Sequence, residues 1–204
     1  MATIVLNANF NDTFLAANSP GADSIYGLAG SETIEGGNGN DRIFGDRSPV
    51  VVPFPIGVSA VSIDPVVGAA VSYNDRLFGG NGLDWIYGDR GNDFIKGGQD
   101  SDRLYGGDGH DTISGGSGGD ILEGGRGRDV LNGDRGNDVL RGGDGNDVMR
   151  GGAGIDLFNG GAGRDRVDFS GTTNASMEID LAANTAKIVG SFTELVYNVE
   201  DVYG

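Results

Sequence analysis

A nine-residue unit with an acidic residue always in its sixth place most restricts how this chain can fold. Read from Gly79, consecutive units are GGNGLDWIY, GDRGNDFIK, GGQDSDRLY, GGDGHDTIS and GGSGGDILE. GGRGRDVLN, GDRGNDVLR, GGDGNDVMR, GGAGIDLFN and GGAGRDRVD follow without a gap. Their sixth places are Asp84, Asp93, Asp102, Asp111, Asp120, Asp129, Asp138, Asp147, Asp156 and Asp165. Upstream the phase continues through NSPGADSIY, GLAGSETIE and GGNGNDRIF, giving Asp23, Glu32 and Asp41. A further unit opens as GDR at 45–47, is interrupted, and closes as NDRLF at 74–78 with Asp75. The eighth place is apolar throughout, from Ile25 to Val167.

A nine-residue period smears around an α-helix, and glycine in two or three places of nine opposes one. A short strand followed by a tight turn fits. Places seven to nine are expected as the strand, the middle residue facing one way and its neighbours the other. Places one to six are expected as the turn, where glycine takes positive φ without penalty. Asp46, Asp89 and Asp134 replace glycine in the second place, and aspartate tolerates left-handed geometry better than most residues. Two units make one eighteen-residue coil. The expected fold is therefore all-β, a solenoid of two facing parallel sheets around a thin core of eighth-place side chains, with coils ~4.8 Å apart.

Coiling places each sixth-place carboxylate over the one eighteen residues later. One ladder runs Asp84, Asp102, Asp120, Asp138, Asp156, and the other Asp93, Asp111, Asp129, Asp147, Asp165. Like charges stacked at ~5 Å repel, and a hard cation between turns reverses the sign. Ca²⁺ takes six to eight oxygens from carboxylates and backbone carbonyls, whereas Mg²⁺ wants a strict octahedron. The expected metal ligands are Asp23, Asp41, Asp75 and the ten aspartates of the unbroken run, with turn carbonyls. Those carbonyls belong to residues such as Gly79, Gly88, Gly97, Gly106, Gly115, Gly124, Gly133, Gly142, Gly151 and Gly160. Roughly eight to eleven Ca²⁺ ions are expected. One His and no Cys argue against zinc.

These units resemble the nonapeptide G-G-x-G-x-D-x-U-x of RTX (repeats-in-toxin) proteins, a calcium-binding β-helix repeat. The likeness covers roughly residues 18–168. It implies a right-handed parallel β-roll folded by Ca²⁺ outside the cell after type I secretion, a route with an uncleaved C-terminal signal. Glu32, the interruption, and Asp100 in a fourth place depart from the pattern and are expected to weaken or remodel local sites.

A net charge of −16 over 204 residues argues against nucleic acid and for cations. The start MATIVLNANFND has neither a basic region nor a long apolar one, so no cleavable signal peptide is expected. No window is apolar enough for a transmembrane segment.

The flanks differ. Residues 1–17 are expected as an N-terminal cap, an apolar strand and a degenerate unit. Residues 169–204 alternate apolar residues between turn signals and resemble the segment that closes many such rolls, where an open sheet end invites aggregation. The ending VEDVYG suggests a fragment of a longer chain. The insertion at 48–73 is apolar and holds four of the five prolines, so it is expected to leave the roll as a loop or hairpin. On one sheet the ninth places read Tyr26, Phe44, Tyr87 and Tyr105, then Glu123, Arg141 and Asn159, with Trp85 on the same face. That row reads either as a sugar-stacking platform or as a face covered by the insertion.

Catalysis finds little support. GGSGG at 115–119 matches the G-x-S-x-G elbow formally, but Ser117 sits in a variable third place and the elbow needs a strand–turn–helix context. His110 occupies a variable fifth place, expected at the surface. The chain is read as no enzyme but as a calcium-binding module that supports secretion and stability. The alternative is an extracellular polysaccharide-binding or adhesive module using a roll face. Ice binding would want threonine along the turns, and the third places of the run from Asn81 to Asp144 hold none.

Overall fold

The computed structural model describes residues 3–5, 13–15, 24–27, 31, 33–45, 73–169, 176–180, 185–189, 193–197, 199 and 201–203. Asp23, Glu32, Asp46 and the insertion from 48 to 72 lie outside them. The described chain is all strand and turn. It begins with β1 (Thr3–Val5), β2 (Thr13–Leu15), β3 (Ser24–Tyr26), β4 (Thr33–Asn38) and β5 (Arg42–Phe44). The roll continues with β6 (Arg76–Asn81), β7 (Trp85–Arg90), β8 (Phe94–Gln99), β9 (Arg103–Gly109) and β10 (Thr112–Ser117). Then come β11 (Ile121–Gly127), β12 (Val130–Arg135), β13 (Val139–Gly145), β14 (Val148–Ala153), β15 (Leu157–Gly163) and β16 (Arg166–Asp168). The last four are β17 (Ser176–Asp180), β18 (Thr185–Val189), β19 (Thr193–Tyr197) and β20 (Asp201–Tyr203).

Odd and even strands separate, as an eighteen-residue coil requires. One sheet runs β1-β3-β5-β7-β9-β11-β13-β15-β19-β18-β17 and the other β2-β4-β6-β8-β10-β12-β14-β16-β20. Pairing is parallel with like places opposed, as in Ile113 with Leu131 and Ile95. Every described eighth-place residue from Ile25 to Val167 is fully buried, so the core is one side chain wide per strand.

The strands are longer than the three places the pattern suggests. β4 and the strands from β6 to β15 run from place seven into place three or four, because pairs such as Gly80 with Gly98 and Asn81 with Gln99 continue the ladder. Identical coils stack turn on turn, so turn backbone pairs with the next turn and not only strand with strand. Positive φ recurs inside these runs. Asp89 and Asp134 hold 72° and 73° in place two, and Asp100 holds 72° in place four. Asp100 thus keeps the backbone route that glycine takes elsewhere.

The interrupted unit closes in space despite its gap. Tyr73, which the sequence assigns to the insertion, belongs to the roll: its carbonyl lies against Gly91, in the fourth place of the next coil. Asp75 N–H donates to Asp93 Oδ1 (2.7 Å), just as Asp93 N–H does to Asp111 Oδ1 (2.8 Å).

After β16 the nine-residue period ends, but the coil does not. The antiparallel pairs β17–β18 and β18–β19 lead into β19, which lies parallel to β15 with Val196 opposite Phe158. β20 lies parallel to β16 with Val202 opposite Val167. Phe169 is buried and meets Phe158 edge-on (5.6 Å, 77°), where glycine would open the next unit.

Candidate metal centre

Each sixth-place aspartate stands at the entrance to a strand, and its main chain is bound to the next coil. Asp84 N–H donates to Asp102 Oδ1 (2.8 Å), while Arg103 N–H donates to the Asp84 carbonyl (2.9 Å). The same pair of bonds recurs down both expected ladders, through Asp120 N–H to Asp138 Oδ1 and Asp129 N–H to Asp147 Oδ1 (2.8 Å each). Asp41 enters the first ladder by donating to Asp84 Oδ1 (2.6 Å) across a sequence gap of 43 residues. The structure therefore assembles twelve of the thirteen expected aspartates, Asp41, Asp75 and the run from Asp84 to Asp165, all buried. Asp23 lies outside the described residues.

From Asp84 to Asp156 one oxygen of the carboxylate, Oδ1, is thus spoken for. For the nine from Asp84 to Asp156, Oδ2 is buried and has no hydrogen-bond partner. The ion pairs nearby join other groups, such as Arg126 with Asp108 and Asp144, and Arg141 with Glu123.

First-place glycine explains where those oxygens sit. A Cβ on Gly79 would strike both Asp84 Oδ2 and the carbonyl oxygen of Gly97, the latter at 2.6 Å. The carboxylate of one coil and the carbonyl of the next converge on one spot that only glycine leaves open. All ten expected glycine carbonyls recur in this role, from Gly79 (2.7 Å from a Cβ on Gly36) to Gly160 (2.5 Å from one on Gly142).

Burial makes these carboxyls hard to ionise. Desolvation pushes Asp93 and Asp102 up to about 8, and Asp84 and Asp138 up to about 7. Asp111, Asp120, Asp129 and Asp147 rise to about 6, and Asp156 is raised as well. Each gains back part of that cost from the N–H of the preceding aspartate. Like charges then add to the rise, as Asp84 and Asp120 do for Asp102. Asp100 raises both Asp84 and Asp102, so it does perturb its neighbours, by charge and not by backbone path.

Such a carboxyl is satisfied by a proton or by a cation. Among the described residues no three His, Cys, Asp or Glu side chains converge. The donor set is therefore carboxylate plus backbone carbonyl, all oxygen. That suits Ca²⁺, which accepts irregular oxygen cages, and not Zn²⁺, which is held by His and Cys.

A second ladder escaped the sequence reading. Asn74 Oδ1 accepts from Asn92 N–H and Asn92 Oδ1 from His110 N–H (2.7 Å each), and His110 Nδ1 from Arg128 N–H (2.8 Å). Asn137 and Asn146 do the same for Ile155 and Arg164 (2.8 Å each). Fifth-place side chains thus cap the next coil's exposed N–H. The recurring Asn before Asp in units such as GDRGNDFIK was the available signal. His110 is exposed as expected, and its ring nitrogen serves as one of these acceptors. Ser117 ends strand β10, with no helix following it.

The aromatic row is present. Tyr26 stacks on Phe44 (4.9 Å, 11°), Phe44 on Tyr87 (5.2 Å, 6°) and Tyr87 on Tyr105 (4.7 Å, 5°). Arg42 and Arg103 lie over Trp85 at 5.9 and 4.9 Å.

A parallel β-solenoid with a buried carboxylate at every turn is the architecture of a calcium-binding roll. The RTX calcium-binding nonapeptide repeat model matches residues 18–48, 70–104, 87–122, 105–140, 114–149 and 141–171. These matches cover well over half of the chain, and the chain belongs to that family. None of the curated proteins compared with it is a match. Among the described residues no helix is long and apolar enough to cross a membrane.

Proposed function

We propose that this chain is a module that calcium folds outside the cell, supporting the type I secretion and stability of a secreted protein. The observation that carries the reading is the set of nine buried Oδ2 atoms with no protein partner. The proposed ligands are the sixth-place aspartates and the first-place glycine carbonyls that meet them, with roughly eight to eleven ions bound. Residues 18–168 form the roll, 1–17 its N-terminal cap and 169–204 its C-terminal cap. The module itself carries no catalytic site.

Calcium supplies positive charge beside carboxylates whose Oδ2 has no hydrogen-bond partner, and so links folding to the medium. At the low calcium of cytosol the stacked carboxylates oppose compaction, which suits a chain exported unfolded. In the ~10⁻⁴–10⁻³ M range typical of extracellular sites they support it. The polysaccharide reading of the Tyr26–Tyr105 row is not favoured, because the stacked rings turn their faces to each other and leave edges outward.

Circular dichroism with and without calcium, at neutral pH, tests this reading. Excess EGTA should abolish most of the β signal, and millimolar calcium should restore it cooperatively. A full β signal in EGTA would refute it.

A further inference from the structure

The other sheet carries a site of different chemistry at its N-terminal end. Strands β4, β6 and β8 border an open groove of about 460 Å³, with the backbone of glycines such as Gly80 exposed in its wall. Along one side, third-place Asn38, Asn81 and Gln99 stand on successive coils. Asn81 donates to Asn38 Oδ1 (2.6 Å), which leaves the Gln99 side-chain amide and Asn81 Oδ1 without a partner among the described residues. Along the other side Glu35 and Lys96 are separated by Phe78 on the intervening strand. The two opposite charges stand two strand spacings of ~4.8 Å apart, with no ion pair between them.

Next to Lys96 the sheet presents an aromatic face. Phe94 is 40% exposed and meets Phe78 at 5.9 Å with planes tilted by 51°. Unlike the rings of the row on the opposite sheet, these two are not stacked face to face, and Phe94 stands beside the groove, not in its lining. Farther along, the third places become Ser117, Arg135 and Ala153, so the amide ladder is confined to three coils. Primary amides offer paired donors and acceptors, and one charge of each sign adds an acceptor and a donor with no net field. An exposed phenyl ring takes the apolar side of a sugar ring.

We infer that this groove and the Phe94 ring beside it bind a neutral polysaccharide, with a sugar ring on Phe94 and hydroxyls on the Asn38–Asn81–Gln99 ladder. The inference requires the folded roll but not the secretion role proposed above. A polyanion is disfavoured, because one lysine faces it against Glu35 and a chain of −16.

Native affinity electrophoresis of the full calcium-loaded chain tests it, using gels cast with dextran, hydroxyethylcellulose, galactomannan or polygalacturonate. At least one neutral polymer should retard the protein and polygalacturonate should not. Phe94→Ala and Asn81→Ala should each weaken that retardation by about tenfold, while Tyr105→Ala on the opposite sheet should leave it unchanged. Retardation by no neutral polymer, retardation by polygalacturonate alone, or retardation that survives both groove substitutions would overturn the inference. Circular dichroism of the same calcium-loaded samples separates a failure of this site from a failure to fold.

Discussion

At the scale of the residue, the proposed calcium site divides two tasks between the oxygens of each aspartate from Asp84 to Asp156. Oδ1 of Asp120 holds the N–H of Asp102 (2.8 Å), while Oδ2 is buried with no hydrogen-bond partner and is the proposed ligand. Asp120→Ala therefore removes a hydrogen bond to a buried N–H, a loss of about 1–3 kcal/mol, together with a proposed ligand. Asp120 also stands mid-ladder, its own N–H bound to Asp138, whereas Asp165 lies in the last unit that carries aspartate. The calcium midpoint of folding should rise more for Asp120→Ala than for Asp165→Ala; equal midpoints would mean that turns act independently. Gly115→Ala bears on the second task while keeping the carboxylate. Its Cβ would strike Asp120 Oδ2, the Gly133 carbonyl (2.8 Å) and Asp120 Cγ (2.9 Å), closing the space where Oδ2 and that carbonyl meet. Calorimetric titration should show fewer bound calcium ions for Gly115→Ala, and an unchanged number for the third-place control Ser117→Ala.

At the scale of the element, a strand contributes one fully buried side chain and little else to the core. Leu122 and Leu131 face that core from opposite sheets with no second layer behind them. Leu122→Ala should cost about 2–5 kcal/mol, read as a lower midpoint in urea at saturating calcium. The exposed place-seven substitution Arg103→Ala should cost far less. The period of nine made both findings legible beforehand, because Leu122, Leu131 and the aspartates repeat without exception through the run. Other features carry no such period. The strand extension through Gly80 and Asn81 depends on turns stacking on turns, which a single unit cannot reveal. The final coil uses Leu195, Val196 and Tyr197 against Leu157, Phe158 and Asn159, although the spacing to Val202 is six residues and not nine. Its register is set by sheet pairing and by the detour through β17 and β18. The fifth-place ladder was hidden for a different reason: Asn, His and Ser serve the same hydrogen bond there, so chemistry is kept while residue type varies.

At the scale of the molecule, the buried carboxylates make folding depend on whatever neutralises them. In the metal-free roll the carboxyls of Asp93 and Asp102 lie near 8, and those of Asp111 and Asp120 near 6, all above the ordinary 3.8. A carboxyl whose folded value is raised favours the fold while protonated. That contribution is complete below the ordinary value and is lost as pH rises through the folded ones. The metal-free chain should therefore show more β structure at pH 5 than at pH 8, with the loss spread across roughly pH 6 to 8. Calcium should remove this dependence. Above about pH 5 the unfolded chain already carries ionised carboxylates, and the calcium-bound fold keeps them ionised, so folding exchanges few protons. At saturating calcium the urea midpoint should then be nearly flat from pH 6 to 8, while the EGTA samples lose structure over the same interval. Two circular dichroism series in parallel, one with calcium and one with EGTA, make the comparison. A metal-free signal that grows as pH rises would show that something other than the stacked aspartates governs the fold.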